Sequence, residues 1–288
     1  MFCSHIHSAT KTTKTMRGVI VEALRSAVHF LANAPVAGKI LDSLSKERFH
    51  ALTIRAEKTL RAHGYDHVIS GPFAGLKYPD LHHRGYTALV YKLLGVFESE
   101  LHSSIAVCLT RSYTTVLNIG AADGYYAAAF AKFLPNVHVV AWEMDPFFQG
   151  MLKQVCNANG VQGQVEVRGY CSVDELRSIR ATGRTLIISD CEGGEVTLLT
   201  QDNLITLEKY DVIVECHDHF VADATSILQQ RFKDTHDITV IETQLRTLSE
   251  IPSELVALLG GPSDDLVHII EEPRHYKMHW LYMIDKRK

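Results

Sequence analysis

Thr115-Val-Leu-Asn-Ile-Gly-Ala-Ala-Asp-Gly-Tyr-Tyr-Ala-Ala-Ala-Phe-Ala-Lys-Phe133 decides how this chain folds. Thr115 to Ile119 is an apolar, β-branched run that reads as a buried strand. Gly120 and Gly124 follow it, and an alanine-rich segment of good helix formers begins directly after. Glycines at a strand-to-helix turn let a polar ligand approach the main chain, and the helix start offers unpaired N–H groups. Beyond Pro135, Val137 to Trp142 reads as a second strand ending in Glu143-Met-Asp145. A carboxylate at the end of the second strand of a βαβ unit suits a ribose diol, because it accepts two hydroxyl hydrogen bonds.

The glycine spacing narrows the cofactor. A dinucleotide turn requires Gly-x-Gly-x-x-Gly, but Ala122 and Tyr125 occupy the second and third glycine positions. Gly-x-x-x-Gly with Asp123 in the loop suits an adenosine cofactor without phosphate. S-adenosylmethionine fits, since a carboxylate attracts its ammonium and sulfonium charges. An ordinary strand-to-helix turn is the bland alternative; the distal acid Glu143 argues against it.

Further strands are expected at Gln164–Arg168, Thr185–Ser189, Asp211–Glu215, Ile238–Glu242 and Met278–Ile284. Helices are expected over Phe147–Asn159, from the Ser172-Val-Asp-Glu175 capping box to about Arg180, from Glu195 to about Lys209, and over Ala222–Lys233. This alternation predicts an α/β fold: a doubly wound, mostly parallel seven-stranded sheet. Its ligand should lie beyond the carboxyl ends of the strands. Upstream, helical spacing marks Met16–Ala34, Ser45–His63 and Ala88–Thr110, with a turn-rich loop at Gly71–Pro79. The expected organisation is a disordered leader (1–15), a helical extension or lid (16–110) and a cofactor-binding domain (111–288).

Two polar clusters fall at predicted strand ends. Asp190, Glu192 and Glu195 follow the fourth strand; Glu215, His217, Asp218 and His219 close the fifth. Asp190, Glu192, Glu215 and His217 could bind Mg²⁺ or Mn²⁺, whereas His217 or Asp190 could act as a general base. Helix caps and solvated acids are the bland reading, and Glu195 in particular would favour a helix N-terminus. His5, His7, His82 and His83 show no ligand spacing and read as surface residues. Asp264-Asp265 and Glu271-Glu272 read as a solvated face.

Net charge is −4 with a pI near 6.5, which gives no general attraction to nucleic acid. The six cysteines form no Cys-x-x-Cys pair and read as reduced thiols of a cytoplasmic protein. No apolar run reaches the about 18 residues of a membrane span. Lys11, Lys14, Arg17 and Arg25 against the single acid Glu22 give the first residues a faint transit-peptide composition; a disordered leader running into a surface helix is the favoured reading.

Asn118-Ile-Gly-Ala-Ala-Asp-Gly-Tyr-Tyr126 and Ala141-Trp-Glu-Met-Asp-Pro146 resemble the first two motifs of class I S-adenosylmethionine-dependent methyltransferases. Ile188-Ser-Asp-Cys-Glu-Gly-Gly-Glu195 resembles the Asp-x-Glu-Gly-x-Glu signature of the FkbM-like group, and Val214-Glu-Cys-His-Asp218 its Glu-x-His segment. Cys191 stands where that group usually has an aliphatic residue. The resemblance spans residues 70–284. It implies a Rossmann-like methyltransferase fold and methyl transfer to a hydroxyl of a sugar, polyketide or other small molecule. It also implies that Gly120, Asp123 and Gly124 line the methionyl part, that Asn118 is a further cofactor-binding residue, that Glu143 holds the ribose, that Tyr170 and Cys171 lie by the adenine, and that Asp190 faces the reacting centre. A small-molecule or glycan acceptor is expected, with no nucleic-acid partner. A homodimer through the N-terminal helices is one open arrangement. A methyltransferase-like binding protein without chemistry, and a nicotinamide-dependent oxidoreductase, are the competing readings.

Overall fold

The computed structural model describes residues 35–81, 89–271 and 278–287. The expected leader, the Met16–Ala34 helix, His5, His7, His82 and His83 lie outside those residues. The chain divides into two compact units, residues 1–52 and 53–288. The described part of the first is the opening of helix α1 (Pro35–Ala62), which continues into the second.

In the second unit come α2 (Leu89–Leu94) and, after a 3₁₀ turn at Ser99–Leu101, α3 (His102–Leu109). The sheet begins with β1 (Tyr113–Ile119), α4 (Tyr125–Phe133), β2 (His138–Trp142), α5 (Pro146–Asn159) and β3 (Val165–Arg168). It continues through α6 (Val173–Ser178), β4 (Ala181–Ser189), α7 (Glu195–Leu198), β5 (Leu207–Cys216) and α8 (Ala224–Phe232). β6 (His236–Glu242), α9 (Ser253–Leu258), α10 (Asp264–Ile270) and β7 (His279–Asp285) complete it.

The strand order is β3-β2-β1-β4-β5-β7-β6. All pairs are parallel except those of β7, which runs antiparallel to both β5 and β6. The expected doubly wound, mostly parallel seven-stranded sheet is therefore what forms. Leu186, Ile187 and Ile188 of β4 are all fully buried, as a central strand covered on both faces requires. One face carries Leu117, Ile119, Ile187, Val212 and Val214 against Leu176, Leu198, Leu228 and Phe232 of α6 to α8. Helix α4 packs on β1, β2 and β3, and α5 packs on α4 and β3. Each such aliphatic side chain removed from water contributes about 1.5–3 kcal/mol.

Register sets up the site. Ile119 pairs with Trp142 and with Ser189, and Ser189 pairs with Val214. One residue beyond each of these partners stand Gly120, Glu143, Asp190 and Glu215, so the sheet brings them to a single edge. That edge is where chain order reverses between β1 and β4, and there the crevice opens.

Local structure departs from expectation in three places. The helix expected from Glu195 to Lys209 stops at Leu198, because Leu199 leaves helical geometry and Asn203 Nδ2 donates to the released carbonyls of Thr197 (3.0 Å) and Leu198 (2.9 Å). The stretch read as helix over Ala88–Thr110 is described from Leu89 as short pieces, broken where Gly95 and Glu98 adopt positive φ. Helices α9 and α10 were not anticipated. Asp264 and Asp265, read as a solvated face, occupy the first turn of α10, where Ser263 Oγ caps the Leu266 N–H at 3.1 Å.

His236, at the start of β6, is buried between the Tyr210 carbonyl (Nε2, 2.9 Å) and Thr235 Oγ1 (Nδ1, 2.9 Å). Burial holds its pKa below the usual 6.5. The unfolded chain therefore takes up a proton as pH falls below 6.5 that the folded chain resists, so stability declines from there downward. Urea denaturation at pH 7.5 and 5.5 should show a smaller pH-dependent loss for His236→Gln than for wild type; equal losses would remove His236 from the account.

Candidate active site

The two glycines of the β1–α4 turn make room for protein. Gly120 has φ +78°, and a Cβ there would lie 1.7 Å from the Asp190 carbonyl oxygen. At Gly124, φ +88°, it would lie 2.7 Å from Leu152 Cγ of α5. At both positions the bare backbone leaves room for protein, the β4 loop at Gly120 and α5 at Gly124. Between them Ala122, a non-glycine, is held at φ +44°, and its N–H donates to Glu143 Oε2 at 2.8 Å. The Asp145 N–H donates to Oε1 at 2.8 Å, while Asp145 caps α5 through the Phe147 N–H at 2.8 Å.

Glu143 is therefore fixed by backbone on two sides, with its carboxylate 9% exposed or less as a residue. A carboxylate has about four acceptor positions, so roughly two remain. Nearby, Asn118 is buried, and its Oδ1 has no hydrogen-bond partner among the described residues. Met144 and Tyr170 follow the paired ends Trp142 and Arg168 by two residues each and are among the most exposed apolar side chains, whereas Cys171 is buried.

Asp123 is almost fully buried. Lys92 Nζ donates to both of its oxygens (2.8 and 2.7 Å), and Tyr78 OH donates to Oδ2. Its charge is matched within the protein, and the pair ties α2 and the turn-rich loop to the glycine turn. Phe73 of that loop packs edge-on against Tyr125 (5.5 Å) and Phe130 (5.3 Å) of α4. Lys132 Nζ donates to the Gly75 carbonyl at 2.6 Å. Neither Lys92 nor Tyr78 carried a signal in the sequence beyond helical or turn context.

The acids after β4 and β5 converge on one imidazole. His217 Nδ1 donates to Glu195 Oε1 at 2.8 Å, while Nε2 lies 3.5 Å from Asp190, 3.4 Å from Glu192 and 3.6 Å from Glu215. His217 and Glu195 are buried, Glu192 is exposed, and Asp190 is part-exposed, its buried Oδ1 having no hydrogen-bond partner among the described residues. Glu192 holds φ +54°, a costly conformation for a non-glycine that turns the loop at this point.

The charges shape one another. Burial opposes protonation of His217, but the Glu195 hydrogen bond and the charges of Glu195, Asp190 and Glu215 outweigh it and raise the pKa to about 9. Burial and the adjoining Glu215 push Asp190 well above the carboxylate range. Burial also works against the Glu195 charge, yet the bond from His217 holds its pKa below the ordinary value.

Asp190, Glu192 and His217 each offer one ligand atom within 4.8 Å of the others. Glu215, also expected as a ligand, sits beside this group at 3.6 Å from Nε2. Two carboxylates and an imidazole are a donor set that suits Mn²⁺ well and Mg²⁺ through the oxygens. The orphaned Asp190 Oδ1 and the surplus of negative charge fit a cation.

A sheet ordered 3-2-1-4-5-7-6 with its seventh strand reversed, and acids at the ends of β2, β4 and β5, decides the architecture. The fold is that of the class I methyltransferases. No protein-family profile matches the chain, and no curated protein is similar to it in sequence. Among solved structures, an O-methyltransferase described as putative from Klebsiella pneumoniae is 12% identical over 81% of this chain and 90% of its own, with a TM-score of 0.45. An O-methyltransferase from Bacillus cereus, in complex with SAH, is 12% identical over 82% and 91%, TM-score 0.43. A precorrin-6y C5,15-methyltransferase from Geobacter metallireducens is 12% identical over 67% and 88%, TM-score 0.43. Among the described residues, no helix is long and apolar enough to cross a membrane.

Proposed function

We propose that the chain is an S-adenosylmethionine-dependent methyltransferase that acts on a hydroxyl of a small molecule or glycan. The observation that carries this reading is Glu143. Its carboxylate is locked by two backbone N–H groups at the end of β2, with acceptor capacity left for a ribose diol, on the sheet edge that also holds Asp190 and Glu215. The cofactor, when bound, supplies an electrophilic methyl group. Glu143 would hold its ribose, Asn118 Oδ1 would accept from its methionyl ammonium, and Tyr170 would cover its adenine beside Cys171. Gly120, Asp123 and Gly124 support that surface: the glycines admit the β4 loop and α5, and Asp123 anchors the turn through Lys92 and Tyr78.

An alcohol must lose its proton as it attacks, and in one route unprotonated His217 or Asp190 would receive it. In the other route a divalent cation held by Asp190, Glu192 and His217, with Glu215 beside them, would lower the acceptor hydroxyl pKa. The choice of a hydroxyl acceptor follows from the FkbM-like spelling of residues 188–195 and 214–218.

Isothermal titration with S-adenosylmethionine, S-adenosylhomocysteine and NAD⁺ tests the reading. Hydrogen bonds to a charged group contribute about 1.5–3 kcal/mol each, so losing two in Glu143→Ala should weaken S-adenosylhomocysteine binding by about 100-fold or more. Unchanged affinity in that variant, or heat from NAD⁺ alone, would overturn the reading.

A further inference from the structure

Glu195 is absent from the group of side chains within ligand distance of one another, yet it is the most completely buried acid of the cluster. Its Oε1 accepts from His217 Nδ1 at 2.8 Å and from the Cys191 N–H at 3.1 Å, so one oxygen ties the β4 loop to the end of β5. A carboxylate can only accept, so the hydrogen on Nδ1 is fixed and Nε2 is left as the nitrogen facing Asp190, Glu192 and Glu215. Four carboxylates crowd this one ring, and a single positive charge on it leaves a surplus of negative charge that a divalent cation at Nε2 would offset. The ring is held in this direction because its other edge is bound to Glu195, and both side chains are buried.

We infer that Glu195 is a positioning residue for a divalent cation: it fixes the His217 tautomer and ring direction so that Nε2 joins Asp190 and Glu192 as a ligand. The inference rests on the cation in the proposed function and assigns a role to a residue that touches neither cation nor substrate. A carboxylate behind a metal-binding histidine orients the ring and raises its basicity, and losing such a partner typically weakens metal affinity by about 10–100-fold. Glu195 sits four residues past Cys191, at the start of α7, where its oxygen reaches back to the loop and across to His217 with no intervening side chain.

The test is Mn²⁺ binding to the full chain, read by electron paramagnetic resonance of the free ion and by calorimetry, at one fixed pH. Wild type should bind one equivalent. Glu195→Ala should bind about 10–100-fold more weakly. Glu195→Gln, whose amide oxygen still accepts from Nδ1–H, should recover part of that loss, a rescue that mere filling of space would not give. Co²⁺ substituted at the same site should show d–d bands that alter in Glu195→Ala, and S-adenosylhomocysteine affinity should stay within about 3-fold of wild type in both variants. If both variants bind Mn²⁺ as wild type does, the positioning role is overturned while the cation stands. If wild type binds no Mn²⁺, the cation and this inference fall together, and the cofactor reading is judged separately by the Glu143→Ala titration. Should Glu195→Ala not fold, the Glu195→Gln affinity and Co²⁺ spectrum decide alone: wild-type values in both would overturn the role.

Discussion

Gly120→Ala should cost about 2–5 kcal/mol of stability and abolish cofactor binding. Two effects add. The residue sits at φ +78°, where an L side chain costs roughly 1–2 kcal/mol. The new Cβ would also overlap the Asp190 carbonyl at 1.7 Å, and backbone cannot yield as the far end of a side chain can. Relief requires the ends of β1 and β4 to part, although the Asp190 N–H is bonded to the Ile119 carbonyl at 3.0 Å. Overpacking of this kind adds about 1–3 kcal/mol or more. By thermal unfolding, the melting temperature should fall by roughly 4–20 °C, taking about 2–4 °C per kcal/mol for a domain of this size. A variant within 2 °C of wild type, roughly the scale of 1 kcal/mol or less, would show that the two loops are not locked together.

His217→Gln should slow methyl transfer by about 10²–10⁴-fold, the range for loss of a positioned acid or base, and equivalent to about 2.7–5.4 kcal/mol. Glutamine is the informative replacement because its amide can still donate to Glu195, which alanine would leave buried without its partner. S-adenosylhomocysteine affinity should stay within about 3-fold, since His217 belongs to the β5 end while the ribose carboxylate is at the β2 end; that bound is under 1 kcal/mol. The rate is read as S-adenosylhomocysteine released from S-adenosylmethionine with hydroxyl acceptors. Wild-type turnover in the variant would remove His217 from the reacting centre. A parallel loss of cofactor affinity would move its role to binding.

The polar groups of the site were visible in the chain because strand ends announce themselves. An apolar run closing in Glu143, Ser189-Asp190 or Glu215 has one physical reading: the strand has reached the edge of the sheet, where polar atoms meet solvent or ligand. Ser172 and Gly160 likewise marked helix ends locally, and both caps form as their spelling suggests. The shortness of α7 was harder to see. It depends on Asn203 folding back onto the carbonyls of Thr197 and Leu198, a choice made between residues several positions apart.

Asp123 shows the other limit. In the sequence it is an acid in a ligand loop; in the fold its charge is matched by Lys92, thirty-one residues earlier, and it accepts a hydrogen bond from Tyr78, forty-five earlier. No local pattern links those positions, and the pair exists only because the turn-rich loop and α2 dock on α4. Glu195 is similar: a helix-start acid by spacing, an imidazole partner in space, because β4 and β5 lie side by side in register.

By itself, then, the sequence determined the strands, the turn at Gly120–Gly124 and the acids that end β2, β4 and β5, since hydrophobic runs, turn residues and caps act within a few neighbours. Only the tertiary structure decided that β7 runs antiparallel between β5 and β6, that the two glycines admit protein, and which acid meets which base. Burial and ion pairing are settled between residues far apart in the chain, where desolvation makes each charge depend on the partner that the fold supplies.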